Sequence, residues 1–170
     1  MDKVRIAFLD RDGVLNLDHG YVYLPEQFEW MPDAKDAIRW LNQEEFKVAV
    51  VTNQSGIARG LYTEAQFLAL TEWMKSDLAL MGAHLDAVYF CPHHPFVGQP
   101  PYLLDCDCRK PKPGMLLQGL EEFKAEPQDC FFIGDYHTDM EAAQAAGVHG
   151  VLYEGGSLLE LARRASLMVR

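Results

Sequence analysis

Residues Ala7–Asn16 read AFLDRDGVLN. An apolar run ends on two carboxylates, Asp10 and Asp12, either side of Arg11, and the chain then turns at Gly13. On an extended chain, residues two apart point the same way, so the two negative charges repel each other. One reading is a solvated strand end, where Asp and Gly are ordinary turn formers. The other is a site where a cation or a chemical task makes the pairing tolerable.

The neighbouring segments favour the second reading. Val4 to Leu9 predicts a buried strand. MPDAKDAIRWLNQEE then reads as a helix with Asp33 as its cap, and FKVAVVTNQSG as a second strand entering a polar turn. A helix from Thr63 to Gly82, a strand in LDAVYFC and a Pro-rich loop come next. PGMLLQGLEEFKA (helix), DCFFIGD (strand), TDMEAAQAAG (helix), VHGVLY (strand) and SLLELARRASLMVR (helix) complete the order. Strand and helix alternate throughout, which predicts an α/β doubly wound, Rossmann-like parallel sheet with helices on both faces. Ligands of such sheets bind beyond the carboxyl ends of the strands. Asp10 and Asp12, then Thr52-Asn53, then Gly134-Asp135 all end predicted strands, so three polar signals fall on one edge.

The totals are those of a soluble globular chain: 170 residues, 49% hydrophobic and 24% charged. We expect one domain over residues 1–170, with no repeat, linker or membrane-spanning run. A formal charge of −10 argues against a nucleic-acid partner. Three of four cysteines crowd between Cys91 and Cys108, which reads as a metal site rather than a disulfide framework. Without a secretion signal, the expected compartment is the cytoplasm, and the expected state is a monomer with no membrane partner.

A carboxylate can attack phosphorus once a divalent cation relieves their repulsion. Asp10 could be that nucleophile, and Asp12 could pass a proton to the leaving oxygen. Mg²⁺ prefers few carboxylates, waters and a phosphate oxygen, which Asp10, the Asp12 main-chain carbonyl and Asp135 would suit. Thr52 and the amides after it could hold phosphoryl oxygens, and Lys110 could neutralise developing charge. Taken singly, each has an ordinary alternative: a turn, a helix cap for Asp139, a surface lysine for Lys110.

Together, FLDRDGVLN, VVTNQSGIARG, CRKPKPGM and FFIGDYHTD resemble the four successive motifs of the haloacid dehalogenase (HAD) superfamily of phosphohydrolases, in order, from Phe8 to about Gly147. NLDHGYVYLPEQFEW, NQSGIARGLYTEAQF, CPHHP and CDCRKPKPGM extend the resemblance to a branch acting on a sugar bisphosphate. The resemblance implies Asp10 as the nucleophile that forms an aspartyl-phosphate, and Asp12 as general acid and then base. It implies Thr52 and Lys110 as phosphoryl-stabilising groups, and Mg²⁺ held by Asp10, Asp12 and Asp135. Substrate contacts fall on Asp18, His19, Gly20, Tyr21, Thr52, Asn53, Gln54, Ser55, Arg109 and Lys110, with Arg109 gripping the phosphate that stays behind. The implied reaction removes the C7 phosphate of a heptose 1,7-bisphosphate, in making activated heptose for surface lipopolysaccharide. The chain departs at one point: family members carry a lysine after the fourth-motif Asp, where this chain has Tyr136 and then His137.

Cys91-x-His93, twelve residues, then Cys106-x-Cys108 offers four ligands to a tetrahedral Zn²⁺. A full ligand set makes the zinc structural, stapling loop 91–108 and placing Arg109 and Lys110. Spacing alone leaves His93 and His94 open; the resemblance favours His93. Neither gap between motifs has room for a separate cap domain. Alternatives are a histidinol-phosphate phosphatase, a zinc-stapled phospho-ligand binding module without catalysis, and a phospho-receiver domain. The last two have no use for the full set of Asp10, Asp12, Thr52 and Lys110.

Overall fold

The computed structural model describes residues 2–169. Among them, five strands form one parallel sheet in the order β3-β2-β1-β4-β5. The strands are β1 (Ile6–Leu9), β2 (Lys47–Asn53), β3 (Ala87–Cys91), β4 (Phe131–Gly134) and β5 (His149–Leu152). The helices between and after them are α1 (Ala34–Gln43), α2 (Glu64–Ala79), α3 (Gly114–Phe123), α4 (His137–Ala146) and α5 (Leu158–Ser166). The expected doubly wound α/β architecture is present, each element within a few residues of its sequence prediction.

Alternation along the strands builds two cores. Ala7, Leu9, Val48, Val50, Phe131 and Ile133 face α1, α2 and α5. Ile6, Phe8, Ala49, Val51 and Phe132 face α3 and α4. Successive side chains point to opposite faces, so near-continuous apolar strands are what a sheet covered on both sides requires. Cys130 lies fully buried in the second core, as a small apolar residue would.

The helix ends explain the turns between elements. Thr63 caps α2, its hydroxyl accepting from the Gln66 N–H at 3.1 Å, and Gln66 bonds back to Thr63 N. Asp33 does sit at the start of α1, but its side chain makes no cap there. It accepts instead from the N–H groups of Leu158 and Leu159 at 3.0 and 3.1 Å, so it closes the start of α5.

Chain order turns at β1. The path steps from β1 outward to β2 and β3, then returns across to β4 and β5. The topological switch therefore lies between β1 and β4, whose carboxyl ends carry Asp10 and Asp135.

Candidate active site

Asp10 follows β1 directly, its N–H still bonded to the Ile133 carbonyl at 3.0 Å. The sheet thus fixes its backbone while the side chain projects past the strand end, 7% exposed. A cavity of about 290 Å³ opens there, lined by Asp10, Asp12, Asp18, Thr52, Asn53, Lys110, Asp135, Tyr136 and Asp139, among others. Signals dispersed from position 10 to position 139 converge on this hollow.

Lys110 is its electrostatic centre. The ammonium lies 3.0 Å from Asp10 Oδ1, 2.7 Å from Asp139 Oδ1 and 3.1 Å from the Val51 carbonyl. The backbone of Lys110 is pinned to the end of β2 by a reciprocal pair with Asn53, at 3.0 and 3.2 Å. Asp139 is also tied down, its other oxygen accepting from the N–H groups of Asp135 and Tyr136. The cap role open to Asp139 is real, but it is joined to a buried ion pair.

Burial is the largest influence on Asp10 and holds its carboxyl well above the ordinary carboxylate range; Lys110 opposes this, while Asp139 and Asp135 add to it. Burial also works against the charge of Lys110, but Asp10 and Asp139 outweigh it and keep the ammonium above the usual lysine value. Asp135 is raised too, by burial first and by the Asp139 charge after it. Carboxylate oxygens of Asp10, Asp135 and Asp139 lie within 4.8 Å of one another. Three carboxylates around one ammonium leave an excess of negative charge, which a hard divalent cation with oxygen ligands fits. Gly13 borders this group with φ +91°, and a Cβ there would fall 2.0 Å from Asp135 Oδ2. Only glycine lets the turn pass so close.

Asp12 lines the same cavity but has different partners. Its Oδ1 accepts from Arg11 Nη2 and Asn16 Nδ2, each at 3.0 Å, and its Oδ2 accepts from Gln54 Nε2 at 3.2 Å. The arginine between the two carboxylates is thus the partner of the second. Arg11 is 1% exposed and also donates to the Val22 carbonyl at 2.7 Å. The Asp12 carboxylate is not among the three clustered groups, which leaves its main-chain carbonyl as the ligand it could offer.

The remaining expected contacts divide. Asp18 and Tyr21 line an adjoining hollow with Asp12, Asn53 and Ser55, on a turn where Gly20 and Tyr21 have φ of +81° and +52°. His19 points to Glu29, at 3.2 Å, on the exposed side of that turn. Thr52 and Gln54 are buried, and the Gln54 amide bonds Thr52 Oγ1 at 2.8 Å as well as Asp12. Arg109 does not line the Asp10 cavity; it borders a neighbouring depression that shares Lys110, and its Nη1 has no partner among the described residues. Tyr136, in place of the family's lysine, lines the cavity 59% exposed.

At the end of β3 and in the loop after it, Cys91, His93, Cys106 and Cys108 turn their ligand atoms toward one point, all within 4.8 Å of one another. Cys91 Sγ and Cys106 Sγ are 3.4 Å apart, and His93 Nδ1 is 3.4 Å from Cys108 Sγ. The cysteines are free, and three thiols with one imidazole nitrogen form a donor set that fits Zn²⁺. His94 is outside the group, its ring accepting from the Phe96 N–H at 3.1 Å.

The HAD-hydrolase-like family model matches residues 107–167. The chain is 50% identical over 144 residues, 85% of its length and 78% of the other, to a D-glycero-beta-D-manno-heptose-1,7-bisphosphate 7-phosphatase of Pasteurella multocida strain Pm70. The chain belongs to the HAD-like hydrolases. Among these phosphoric monoester hydrolases it is equally 50% identical to the like-named protein of Escherichia coli strain K12, over 146 residues, 86% of this chain and 76% of that one. The D,D-heptose 1,7-bisphosphate phosphatase of B. bronchiseptica, solved with magnesium and phosphate, superposes on the HAD-like fold with a TM-score of 0.81. That match has 35% identity and covers 95% of this chain and 84% of the other.

Four features of the site had no reading beforehand. Arg11 as partner of Asp12, Asp139 as partner of Lys110, and Gln54 turned inward onto Asp12 all depend on side-chain direction across elements. The fourth is Tyr62, whose hydroxyl donates to Gln54 Oε1. It lies within NQSGIARGLYTEAQF, where the resemblance gave it no role of its own and local sequence does not separate it from a core tyrosine.

Proposed function

We propose that the chain is a Mg²⁺-dependent phosphatase that removes the C7 phosphate of D-glycero-D-manno-heptose 1,7-bisphosphate, a step toward activated heptose for lipopolysaccharide. The observation that carries the reading is Asp10 held beside Lys110 in the cavity at the switch of the sheet, in a chain half identical to phosphatases of that name.

Asp10 attacks the phosphorus in line with the leaving oxygen. The P–O bond to C7 breaks as the P–O bond to Asp10 forms, and the departing alkoxide takes the proton of Asp12. A water then gives its proton to the Asp12 carboxylate while its oxygen attacks the same phosphorus. The aspartyl–phosphate bond breaks and inorganic phosphate leaves. Lys110 and the Thr52 hydroxyl bind the phosphoryl oxygens through both steps. Asp10, Asp135 and the Asp12 carbonyl would hold Mg²⁺, which when bound relieves the repulsion between carboxylate and phosphate. Arg109, with an unpartnered guanidinium nitrogen next to Lys110, is the grip for the phosphate at C1. Asp18, Gly20, Tyr21, Asn53, Gln54 and Ser55 complete the substrate wall, and His19, turned to Glu29, stands outside it.

Zn²⁺ on Cys91, His93, Cys106 and Cys108 would be structural, a closed ligand set holding the loop that carries Arg109 and Lys110. The chain works as one domain and as a monomer, without nucleic-acid or membrane partners. Among the described residues no helix is long and apolar enough to cross a membrane. A cluster of reduced thiols suits the cytoplasm.

Phosphate release in Mg²⁺ from the α and β anomers of the bisphosphate, beside histidinol phosphate, tests the reading. Preference for either anomer of the bisphosphate supports it, and faster release from histidinol phosphate overturns it.

A further inference from the structure

We propose that Tyr62 is a positioning residue for proton transfer, acting through Gln54, whose single amide group holds the Asp12 carboxylate and the Thr52 hydroxyl in a fixed relation. The inference rests on the reading of Asp12 as the group that moves the proton.

The geometry runs in one direction. Gln54 Nε2 lies 2.8 Å from Thr52 Oγ1 and 3.2 Å from Asp12 Oδ2. The Thr52 hydroxyl is directed at the Asn53 carbonyl, at 3.4 Å, and so accepts from Gln54, which puts the amide nitrogen on the side that faces both Thr52 and Asp12. The amide oxygen is then turned the other way, and the Tyr62 hydroxyl is the donor that meets it. Without that donor the two ends of the amide would compete for the same place. Turning it over would set oxygen against oxygen at Asp12.

The three residues behind Asp12 are buried. Thr52, Gln54 and Tyr62 are 1%, 2% and 5% exposed. The Tyr62 ring is stacked on Tyr23, centroids 5.2 Å apart and planes 6° from parallel, and packs with Ile57 and Phe67. A Cβ on Gly56 would lie 2.1 Å from Tyr62 Cε1, so the turn after Ser55 is a glycine where the ring passes. Burial pushes the hydroxyl up to about 12, which keeps its proton in place as a donor at neutral pH. Arg11 and Asn16 hold Oδ1 of Asp12, and Arg11 Nη2 reaches across to share Oδ2 with Gln54, each at 3.2 Å. Tyr62 and Gln54 therefore supply the second side of a clamp on a carboxyl that must meet a leaving oxygen within a few tenths of an ångström.

The test separates a proton-transfer role from a structural one by leaving group. In the Mg²⁺-loaded enzyme, kcat/KM reports formation of the aspartyl-phosphate. Loss of a well-placed acid slows departure of a sugar alkoxide and spares departure of p-nitrophenolate, which needs no proton. Tyr62→Phe keeps the stacked ring and removes only the donor. It should lower kcat/KM for heptose 1,7-bisphosphate about tenfold, a part of the 10²–10⁴ that a positioned acid supplies, with p-nitrophenyl phosphate changed far less. Gln54→Leu should show the same selectivity and a larger loss. Equal losses on both substrates, or none on either, in both variants overturn the proposal. Asp12→Asn serves as the reference. If it shows the selective loss and the other two do not, the Tyr62 relay is wrong and the role of Asp12 stands; if Asp12→Asn shows no selectivity, both fail.

Discussion

Asp139 Oδ1 lies 2.7 Å from the ammonium of Lys110, closer than Asp10 at 3.0 Å, and both members of that pair are buried. Lys110 stands in a loop and Asp139 in the first turn of α4, so the contact joins the cysteine-loop side of the molecule to the β4 side across the cavity. Asp139 is therefore the anchor that aims the lysine at Asp10. Removing one partner from a buried pair strands the other charge, at about 3–5 kcal/mol. Lys110→Met, which strands both carboxylates, should destabilise the fold on that scale in urea titrations, and Asp139→Asn, which leaves Lys110 the Asp10 carboxylate, by less. The double variant should lose clearly less than the sum, because the two losses share one interaction. Additive losses would show that the pair is not the unit described.

Asp10→Asn tests the chemistry with little change of shape. The amide oxygen can still accept from the Arg11 N–H, which lies 2.9 Å from Asp10 Oδ1, and from Lys110. The side chain also loses a charge that burial disfavours. Phosphate release should fall to background while the thermal melt stays within a few degrees of the parent. Turnover by a correctly folded Asp10→Asn protein would remove Asp10 as nucleophile.

The four-ligand cluster makes a stoichiometric prediction. Elemental analysis should find one zinc per chain, and Cys106→Ser should lower both zinc content and thermal stability. Stripping the zinc with a chelator should reduce activity without abolishing it, because the Lys110 backbone remains tied to β2 through Asn53. A chain that keeps its zinc after Cys106 and Cys108 are both replaced would exclude this ligand set.

What could be read beforehand was what repeats or ends locally. Val48 to Val51 announce a covered strand because every position is apolar, and Thr63 announces a helix start because its partner Gln66 is three residues on. The carboxyl edge followed from where Asp10, Thr52 and Asp135 fall on such strands. Asp33 shows where this stops. Its place before α1 was legible, but its side chain reaches Leu158, 125 residues on, which no local pattern encodes. Arg11, Gln54 and Asp139 fail in the same way. Each residue type was visible in its motif, while the rotamer that gives it a partner is set by tertiary packing.

Asp33 also yields a pH prediction. Burial acts to raise its carboxyl, but the Ser157 hydroxyl and the N–H groups of Leu159 and Leu158 outweigh it and hold the group below the ordinary value. The folded state therefore favours the ionised form. That stabilisation is fully present above the unfolded carboxylate value, about 3.9, and is lost as pH falls below it through the lower folded value. Asp33→Ala should cost about 1 kcal/mol at pH 7, as loss of a helix cap does. The gap between variant and parent in urea denaturation should stay constant from pH 7 to about 5 and close below about 4, where the parent's carboxylate takes up its proton. A gap that persists unchanged into acid would mean the ionised cap at α5 contributes nothing.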